Sequence, residues 1–289
     1  MNQSPTDETL ALGNDEIRRQ LSGSKPALIG RFGAVEYSLV KKVNVGKPFS
    51  LLDRKMAWVN AGIWPPTDRN LKDFVRIYER SFATATSVAV WPEELLPGQQ
   101  QLISKITPEA SQIPLSSLDP VLLASKLPPE TIWSSLTNSK RVLVVHSMVK
   151  SISKQMNSLD SIHQGSIFSP GTVIVIKPPV TNGLYFWGRG YPKQLREFQK
   201  QLEDVLTDFS PDYALVAAGA YGMPIAATLQ NAGVPSLYVG GALQLMFGIM
   251  GHRWQSRPEI TSQVNDFWLS HPIDKPPFGF RLVERGTYW

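Results

Sequence analysis

The sequence contains no cysteine in its 289 residues. Disulfides, cysteine-ligated zinc, iron–sulfur centres and thiol catalysis are therefore excluded, and a reducing compartment is favoured. The first 21 residues are polar and acidic, without the basic, apolar and small-residue order of a signal peptide. We accordingly expect a cytoplasmic protein.

Long runs of like charge are also missing. The 29 lysine and arginine residues are spread along the chain, with no run longer than a pair such as Lys41-Lys42, whereas nucleic-acid-binding proteins more often cluster them. A formal charge of +5 and an isoelectric point of about 9.3 indicate a slightly basic surface that can attract anions such as nucleotides. No nucleic-acid partner is expected.

The longest stretch without a charged residue covers residues 213–251. A membrane-spanning helix needs about 20 continuous apolar residues, but glycines, prolines and an asparagine divide this stretch into pieces of strand and helix length. We expect no transmembrane segment here. Strands of a buried parallel sheet are apolar on both faces, so the stretch predicts the core of such a sheet.

Short apolar segments alternate with segments of helical periodicity. Strands are predicted at residues 27–30, 87–91, 141–146, 172–177, 214–218 and 236–239. Helices are predicted near residues 14–22, 34–42, 67–80, 147–157, 192–209, 223–232 and 242–250. This alternation is typical of βαβ units and predicts an α/β fold, a Rossmann-like three-layer sandwich with a mostly parallel sheet.

The chain shows neither a fixed repeat nor a low-complexity linker. We expect a single domain over residues 1–289, with residues 1–12 as a loose leader and residues 256–289 as a tail packed on the domain. Residues 92–138 are punctuated by prolines and stay ambiguous. The alternative is a two-lobe arrangement divided near residue 140.

In open parallel sheets, ligands bind at the carboxyl ends of the strands, near helix N-termini. The first turn of this kind covers residues 30–36, where Gly33 permits a tight turn and a close approach of ligand to backbone. Arg31 can pair with a diphosphate through its planar guanidinium, and Glu36 can hold a metal or a sugar hydroxyl. The alternative is structural, with Glu36 complementing the helix dipole and pairing with Arg31.

Two further strand-to-helix turns carry paired glycines. In the turn with Gly219, Tyr221 and Gly222, the tyrosine can stack on a base or bond to a sugar. The turn with Gly240 and Gly241 is followed by a polar residue in an apolar helix, Gln244, which faces a ligand or satisfies a buried backbone group. Glycine turns of this kind also occur for packing alone.

Three charged or titratable residues complete the candidates. His146 ends a strand, where it is a candidate general base or simply a hydrogen-bonded structural residue. Lys177 can neutralise a phosphate or be solvated, and Arg253 lies in a His-Arg-Trp cluster suited to a nucleotide. No histidine pair has zinc-ligand spacing, and the GxSxG, P-loop and HExxH motifs are missing. Common hydrolases, P-loop kinases and zinc peptidases are therefore disfavoured.

Six segments resemble, in the same order, those of the GT-D-type glycosyltransferase-like proteins of bacteria. They are GRFGAVE (30–36), NAGIWP (60–65), VLVVHSMVKSISKQ (142–155), GAYGMPIAA (219–227), GGALQLMFGIMGHRW (240–254) and ERGTYW (284–289). The resemblance spans nearly the whole chain, and the segment at 240–254 is the most specific.

This resemblance implies a Rossmann-like fold and transfer of a sugar from a nucleotide-sugar donor with a divalent metal, Mn²⁺ or Mg²⁺. The family motif has an Asp-x-Glu after the first strand. Its Glu falls on Glu36, which becomes the implied catalytic and metal-binding carboxylate, but its Asp falls on Ala34. We hypothesise that Arg31 supplies the positive charge that the metal supplies elsewhere.

The resemblance thus implies a hexosyltransferase-type enzyme with a nucleotide-sugar donor and a glycan or glycoprotein acceptor, acting in glycan or surface-polysaccharide biosynthesis. Arg31, Glu36 and the glycine turns favour this function. The loss of the Asp favours a non-catalytic protein that binds nucleotide sugars or glycans. A structural partner in a polysaccharide-assembly system, contacting other proteins through the aromatic tail, is a third possibility.

Overall fold

The computed structural model describes residues 6–163, 167–186 and 188–289. Its strands are β1 (Leu28–Arg31), β2 (Ser87–Val90), β3 (Ser111–Pro114), β4 (Arg141–His146), β5 (Thr172–Ile176), β6 (Tyr213–Ala217) and β7 (Ser236–Tyr238). They form one seven-stranded sheet in the order β3-β2-β1-β7-β6-β4-β5, and every neighbouring pair is parallel. The predicted α/β class is confirmed.

Helices cover the sheet. They are α1 (Asp7–Leu21), α2 (Ala34–Asn44), α3 (Leu51–Met56), α4 (Asp68–Phe82), α5 (Gln99–Ile106), α6 (Pro120–Ala124), α7 (Val149–Gln155), α8 (Leu159–His163), α9 (Tyr191–Asp208), α10 (Gly222–Asn231) and α11 (Pro258–Thr261). A π-helical turn, Ala57–Ala61, continues α3, and a 3₁₀ helix, Gly240–Phe247, follows β7.

The core has two parts, one on each face of the sheet. Along β4, Leu143 and Val145 pack on the first face with α2, α4, α9 and α10, whereas Val142 and Val144 pack on the second face with α1, α6, α7 and the 3₁₀ helix. This alternation follows from the two-residue period of a strand. It completes the predicted three-layer sandwich.

β1 and β7 are neighbours in the sheet, but the chain leaves them toward opposite faces. After β1, α2 buries Tyr37 and Val40 on the first face, and after β7, the 3₁₀ helix buries Leu243 and Phe247 on the second. Such a divergence opens a crevice at the carboxyl ends of the two strands, where open parallel sheets bind ligands. The fold therefore brings the first and third predicted turns together.

Three local predictions are corrected. Residues 7–12 are not a loose leader, because α1 begins at Asp7 with the Thr6 hydroxyl accepting from the Thr9 amide, and it buries Leu10 against the second face; residues 1–5 lie outside the described part. The ambiguous region contributes the edge strand β3. The segment predicted as a helix at 242–250 is a 3₁₀ helix that ends at Phe247.

The tail is held to the domain at two places. Leu269 exchanges backbone hydrogen bonds with Gly248 and Met250, each 2.8 Å. The Asp274 carboxylate accepts from the backbone amides of Lys150 and Ser151 at the N-terminus of α7, at 3.0 and 2.8 Å. Within the described ranges, no helix is both long and apolar enough to cross a bilayer.

Candidate functional site

A cavity of about 210 Å³ lies at the carboxyl ends of β1 and β7, where the crevice opens. It is lined by the first turn, by the turns after β6 and β7, and by the last residues of the chain. A second cavity of about 680 Å³ adjoins it and shares with it Arg31, Trp91, Gly241 and Arg253.

The first turn places a buried carboxylate at the start of α2. Gly33 is the N-terminal cap of α2, and Glu36 folds back over it, so that a Cβ at Gly33 would lie 2.0 Å from the Glu36 Oε2 atom. A side chain at position 33 would therefore displace the Glu36 carboxylate from its present position. Glu36 is buried, and burial raises the pKa of its carboxyl above the ordinary value, while its own backbone amide and the charge of Arg31 act against the rise.

Arg31 lies at the end of β1 with its guanidinium between two aromatic rings. Its Cζ atom is 5.2 Å from the ring centre of Trp91 and 5.9 Å from that of Tyr238. Nη1 makes a long hydrogen bond of 3.5 Å to the Val239 carbonyl, and in the described residues the buried Nε has no hydrogen-bond partner. A buried donor without a partner is costly, so this guanidinium retains bonding capacity for an anion.

The glycine after β7 makes room for this arginine. Gly240 has φ of +73°, and a Cβ there would lie 2.7 Å from the Nη1 atom of Arg31. A side chain at this position would therefore displace the guanidinium. Gln244, further along the same segment, donates from Nε2 to the Ile249 carbonyl at 3.1 Å. It thus satisfies a buried backbone group, the structural role that was the alternative to a ligand contact in the sequence analysis.

The turn after β6 reaches the cavity through Gly219 and Tyr221. The Tyr221 ring is buried and stacks on Tyr191 with ring centres 4.5 Å apart, and its hydroxyl lies 3.1 Å from that of Thr181. The ring is therefore packed against Tyr191, while Tyr221 also lines the cavity. Gly219 carries the carbonyl that accepts from the Tyr238 hydroxyl at 2.8 Å.

The last residues of the chain close one side of the cavity. Arg253 holds them: its Nη1 donates to the Tyr288 hydroxyl at 2.6 Å, its Nη2 lies 3.4 Å from a Glu284 carboxylate oxygen, and its backbone amide donates to the Thr287 carbonyl at 3.0 Å. Tyr288 and Glu284 both line the cavity. Arg253 is therefore engaged with the chain terminus as well as facing both cavities.

His146, at the end of β4, is buried at the cavity wall. Its Nδ1 atom accepts from the Met148 backbone amide at 2.9 Å, so the neutral ring carries its proton on Nε2. Burial lowers the pKa of His146 to about 4, against a smaller opposite influence of Asp274. At neutral pH the ring is a hydrogen-bond donor from Nε2, and the nitrogen lone pair that a general base needs is already occupied.

This burial predicts a pH-dependent loss of stability. Because the folded state disfavours the protonated ring, the unfolded chain takes up this proton more readily than the folded protein. The contribution of His146 to the free energy of unfolding is therefore fully present above the unfolded pKa of 6.5 and is lost as the pH falls toward about 4. We expect the loss to reach about 3 kcal/mol of unfolding free energy. His146→Asn keeps an acceptor for the Met148 amide without titrating. Chemical unfolding of both proteins between these pH values should show a steeper decline for the wild type, and parallel profiles would contradict the prediction.

Most sequence-predicted residues meet at this cavity. Those lining it are Arg31, Gly33, Glu36, His146, Gly219, Tyr221, Gly240, Gly241, Gln244 and Arg253. Lys177 and Gly222 are not brought into it. Lys177 is exposed just beyond β5, and Gly222 packs under Tyr238, whose ring would lie 2.2 Å from a Cβ there.

Several residues of the site were not predicted. Trp91 follows β2, Tyr238 ends β7, and Glu284, Tyr288 and Trp289 come from the chain terminus. Trp91 ends a predicted strand, so its position at the carboxyl edge could have been inferred. The ERGTYW segment was part of the family resemblance, but no residue in it was predicted to belong to the site.

Known proteins resemble this chain only weakly. No protein-family model matches the sequence, and no curated protein matches it. A search of solved structures finds a glycosyltransferase from Streptococcus sanguinis with a TM-score of 0.49 and 13% identity, covering 90% of this chain and 92% of that one. A similarity this low supports no inference about activity.

Proposed function

We propose that this protein is a glycosyltransferase that binds the diphosphate of a nucleotide-sugar donor at Arg31. The observation that carries the proposal is the state of that guanidinium: it is at the carboxyl edge of the sheet, stacked near Trp91 and Tyr238, with a buried Nε that lacks a partner in the described residues. Arginine binds phosphate oxygens through paired, charge-assisted hydrogen bonds. The sequence resemblance supports the sugar-nucleotide class.

The two cavities provide space for two substrates. Small-molecule sites commonly have volumes of roughly 300–1,000 Å³. The cavity of about 210 Å³ is smaller than this, but it shares Arg31 and Trp91 with the cavity of about 680 Å³. We assign the donor to the glycine-lined smaller cavity and its junction with the larger. The larger cavity, which Trp91 and Trp254 line, is left for a glycan or glycoprotein acceptor, because aromatic rings pack well against sugar faces.

The proposed reaction needs two groups from the protein. An acceptor hydroxyl oxygen bonds to the anomeric carbon of the donor while the bond from that carbon to the diphosphate oxygen breaks. The hydroxyl proton passes to the Glu36 carboxylate, whose pKa is raised by burial and thereby better matched to a general base. The departing diphosphate keeps the bonding electrons, and Arg31 stabilises its charge. The Nε2–H of His146 serves as a donor to bound substrate.

The residues do not fit the divalent metal that the family resemblance implies. Mg²⁺ and Mn²⁺ prefer several oxygen ligands. In the described ranges, no group of three or more His, Cys, Asp or Glu residues could hold a metal ion. Ala34 stands at the position of the family Asp, and the charge of Arg31 already acts on Glu36. No step of the proposed reaction is therefore assigned to a metal.

A non-catalytic protein that binds nucleotide sugars or glycans is the second candidate. Two observations favour it: Ala34 removes one carboxylate of the family motif, and the chain terminus lies against the cavity through Tyr288, held by Arg253. Turnover distinguishes the transferase from a protein that only binds the donor.

Donor binding can be measured first by thermal unfolding with a panel of nucleotides and nucleotide sugars, with and without Mn²⁺. A ligand that binds only the folded state adds about 2.7 kcal/mol of stability at a hundred times its dissociation constant. We expect a rise in Tm with at least one nucleotide sugar, unchanged by Mn²⁺. Release of nucleoside diphosphate on adding acceptor would then select the transferase, and binding without release would select the second candidate. No shift with any ligand would overturn donor binding and with it the transferase, and would leave glycan binding as the form of the second candidate.

A further inference from the structure

One short segment beside the start of α3 carries an excess of positive charge. Residues 41–55 contain five basic residues and one acidic residue, a net charge of +4, against +5 for the whole chain. The basic residues are Lys41, Lys42, Lys47, Arg54 and Lys55. Lys42 pairs with Asp53 and Arg54 pairs with Asp68. The exposed cations of this basic segment, residues 41–55, are therefore Lys41, Lys47 and Lys55, which can attract anionic partners.

The same basic segment exposes three large apolar side chains. Leu51 is 86% exposed, Leu52 66% and Val45 58%. Most leucines and valines of this protein are in the two core clusters, and exposed aliphatic side chains that adjoin one another indicate a contact surface rather than a solvated face. Leu51 and Leu52 are consecutive, and they open α3.

Local structure holds these leucines outward. Ser50 and Asp53 form a capping box, in which the Ser50 hydroxyl accepts from the Asp53 amide and the Asp53 carboxylate accepts from the Ser50 amide. The Lys42 ammonium pairs with the same carboxylate and ties α3 to the end of α2. The first turn of α3 is therefore fixed with its two leucines toward solvent. Because this turn is already ordered, little further conformational entropy is lost when the leucines bind another surface.

We propose that the basic segment docks the protein on an anionic lipid bilayer, with Leu51 and Leu52 inserted among the headgroups. Aliphatic side chains next to lysines and arginines are the combination that binds membrane surfaces, since the apolar groups enter the headgroup boundary and the cations attract anionic lipids. Charge complementarity selects a bilayer rich in anionic lipid over a neutral one. This inference goes beyond the proposed function and does not depend on it.

The docking surface is connected to the cavity. α3 continues without a break into the π-helical turn Ala57–Ala61, and Asn60 and Ala61 line the smaller cavity. Docking therefore holds the cavity-lining turn a few residues from the bilayer surface.

Cosedimentation with vesicles tests the proposal. We expect the full-length protein to bind phosphatidylcholine vesicles containing roughly a third phosphatidylserine, to bind pure phosphatidylcholine vesicles much less, and to be released as NaCl rises from about 0.1 to about 0.5 M. Leu51→Ser with Leu52→Ser should weaken binding by about tenfold or more. Lys47→Glu with Lys55→Glu should abolish the preference for anionic lipid.

The matched control is Leu12→Ser. Leu12 is 64% exposed on α1, next to the acidic residues Asp7, Glu8 and Asp15, and its replacement should leave vesicle binding unchanged. All substituted positions are exposed, and unaltered thermal unfolding will show that the variants fold. The proposal is overturned if the wild type does not bind anionic vesicles, if the double serine variant binds as the wild type does, or if the leucines instead hold a dimer that the serines disperse.

Discussion

Arg31→Ala is expected to weaken binding of the nucleotide-sugar donor by about a hundredfold or more. A hydrogen bond to a charged group contributes about 1.5–3 kcal/mol, and a bidentate arginine–phosphate contact contains two of them. In this protein the guanidinium is held between Trp91 and Tyr238 and presents a buried Nε without a partner in the described residues. Titration calorimetry with the donor found in the thermal panel measures the loss directly.

Two variants separate the charge of Arg31 from its geometry and from general electrostatics. Arg31→Lys keeps the charge but not the planar fork, so we expect it to retain only part of the affinity. Arg257→Ala removes an exposed arginine that lines the larger cavity alone, and donor affinity should persist. Wild-type affinity in a folded Arg31→Ala protein would contradict both the role of Arg31 and the assignment of the diphosphate.

Most of the sheet could be predicted from sequence because its strands are buried on both faces. In β4, for example, four consecutive apolar residues, VLVV, stand between Arg141 and His146, and the helices between the strands show amphipathic spacing. Such signals are local and survive without knowledge of tertiary contacts. The three glycine turns were predictable for the same reason, since each lies between a strand signal and a helix signal.

The edge strand β3 and the start of α1 were missed for different reasons. β3 has the sequence SQIP and, among the described residues, pairs only with β2. An edge strand needs fewer apolar residues, so its periodicity is weak. For α1 a local signal was present, because Thr6 precedes Asp7 and Glu8 as a cap precedes an acidic first turn. Its polar composition outweighed this signal in the prediction of a loose leader.

Much of the site is built by contacts between residues that are far apart in the sequence. Arg253 and Tyr288 are 35 residues apart, and Arg31 contacts the Val239 carbonyl across 208 residues. Strand order creates the second of these contacts, since β7 inserts beside β1, and nothing in the local sequence specifies that order. The sequence identified the residues that follow each strand but not the rings that surround Arg31.

Glu36→Gln is expected to lower the transfer rate by about 10²–10⁴-fold, the usual contribution of a positioned general base, with little change in donor affinity. The same change should stabilise the protein at neutral and alkaline pH. Burial raises the pKa of Glu36 in the folded state, so the folded protein binds this proton more tightly than the unfolded chain. Stability is then lost as the pH rises from the unfolded value of 4.5 through the folded value, and glutamine does not incur this loss.

The measurement is unfolding free energy against pH for both proteins, beside their transfer rates. Below pH 4.5 the protonated Glu36 and a glutamine are nearly equivalent, so the two curves should approach each other, and they should separate with the variant above as the pH rises. Glu94→Gln is the matched control, because Glu94 is exposed, lines the larger cavity alone and is not among the charges that act on Glu36, and it should not reproduce the separation. A Glu36→Gln protein that keeps full activity would show that this carboxylate is not the base. A variant whose stability follows the wild type at every pH would show that burial of the carboxylate does not destabilise the fold. Loss of activity together with a gain in stability is expected of a residue that serves the reaction and destabilises the folded state.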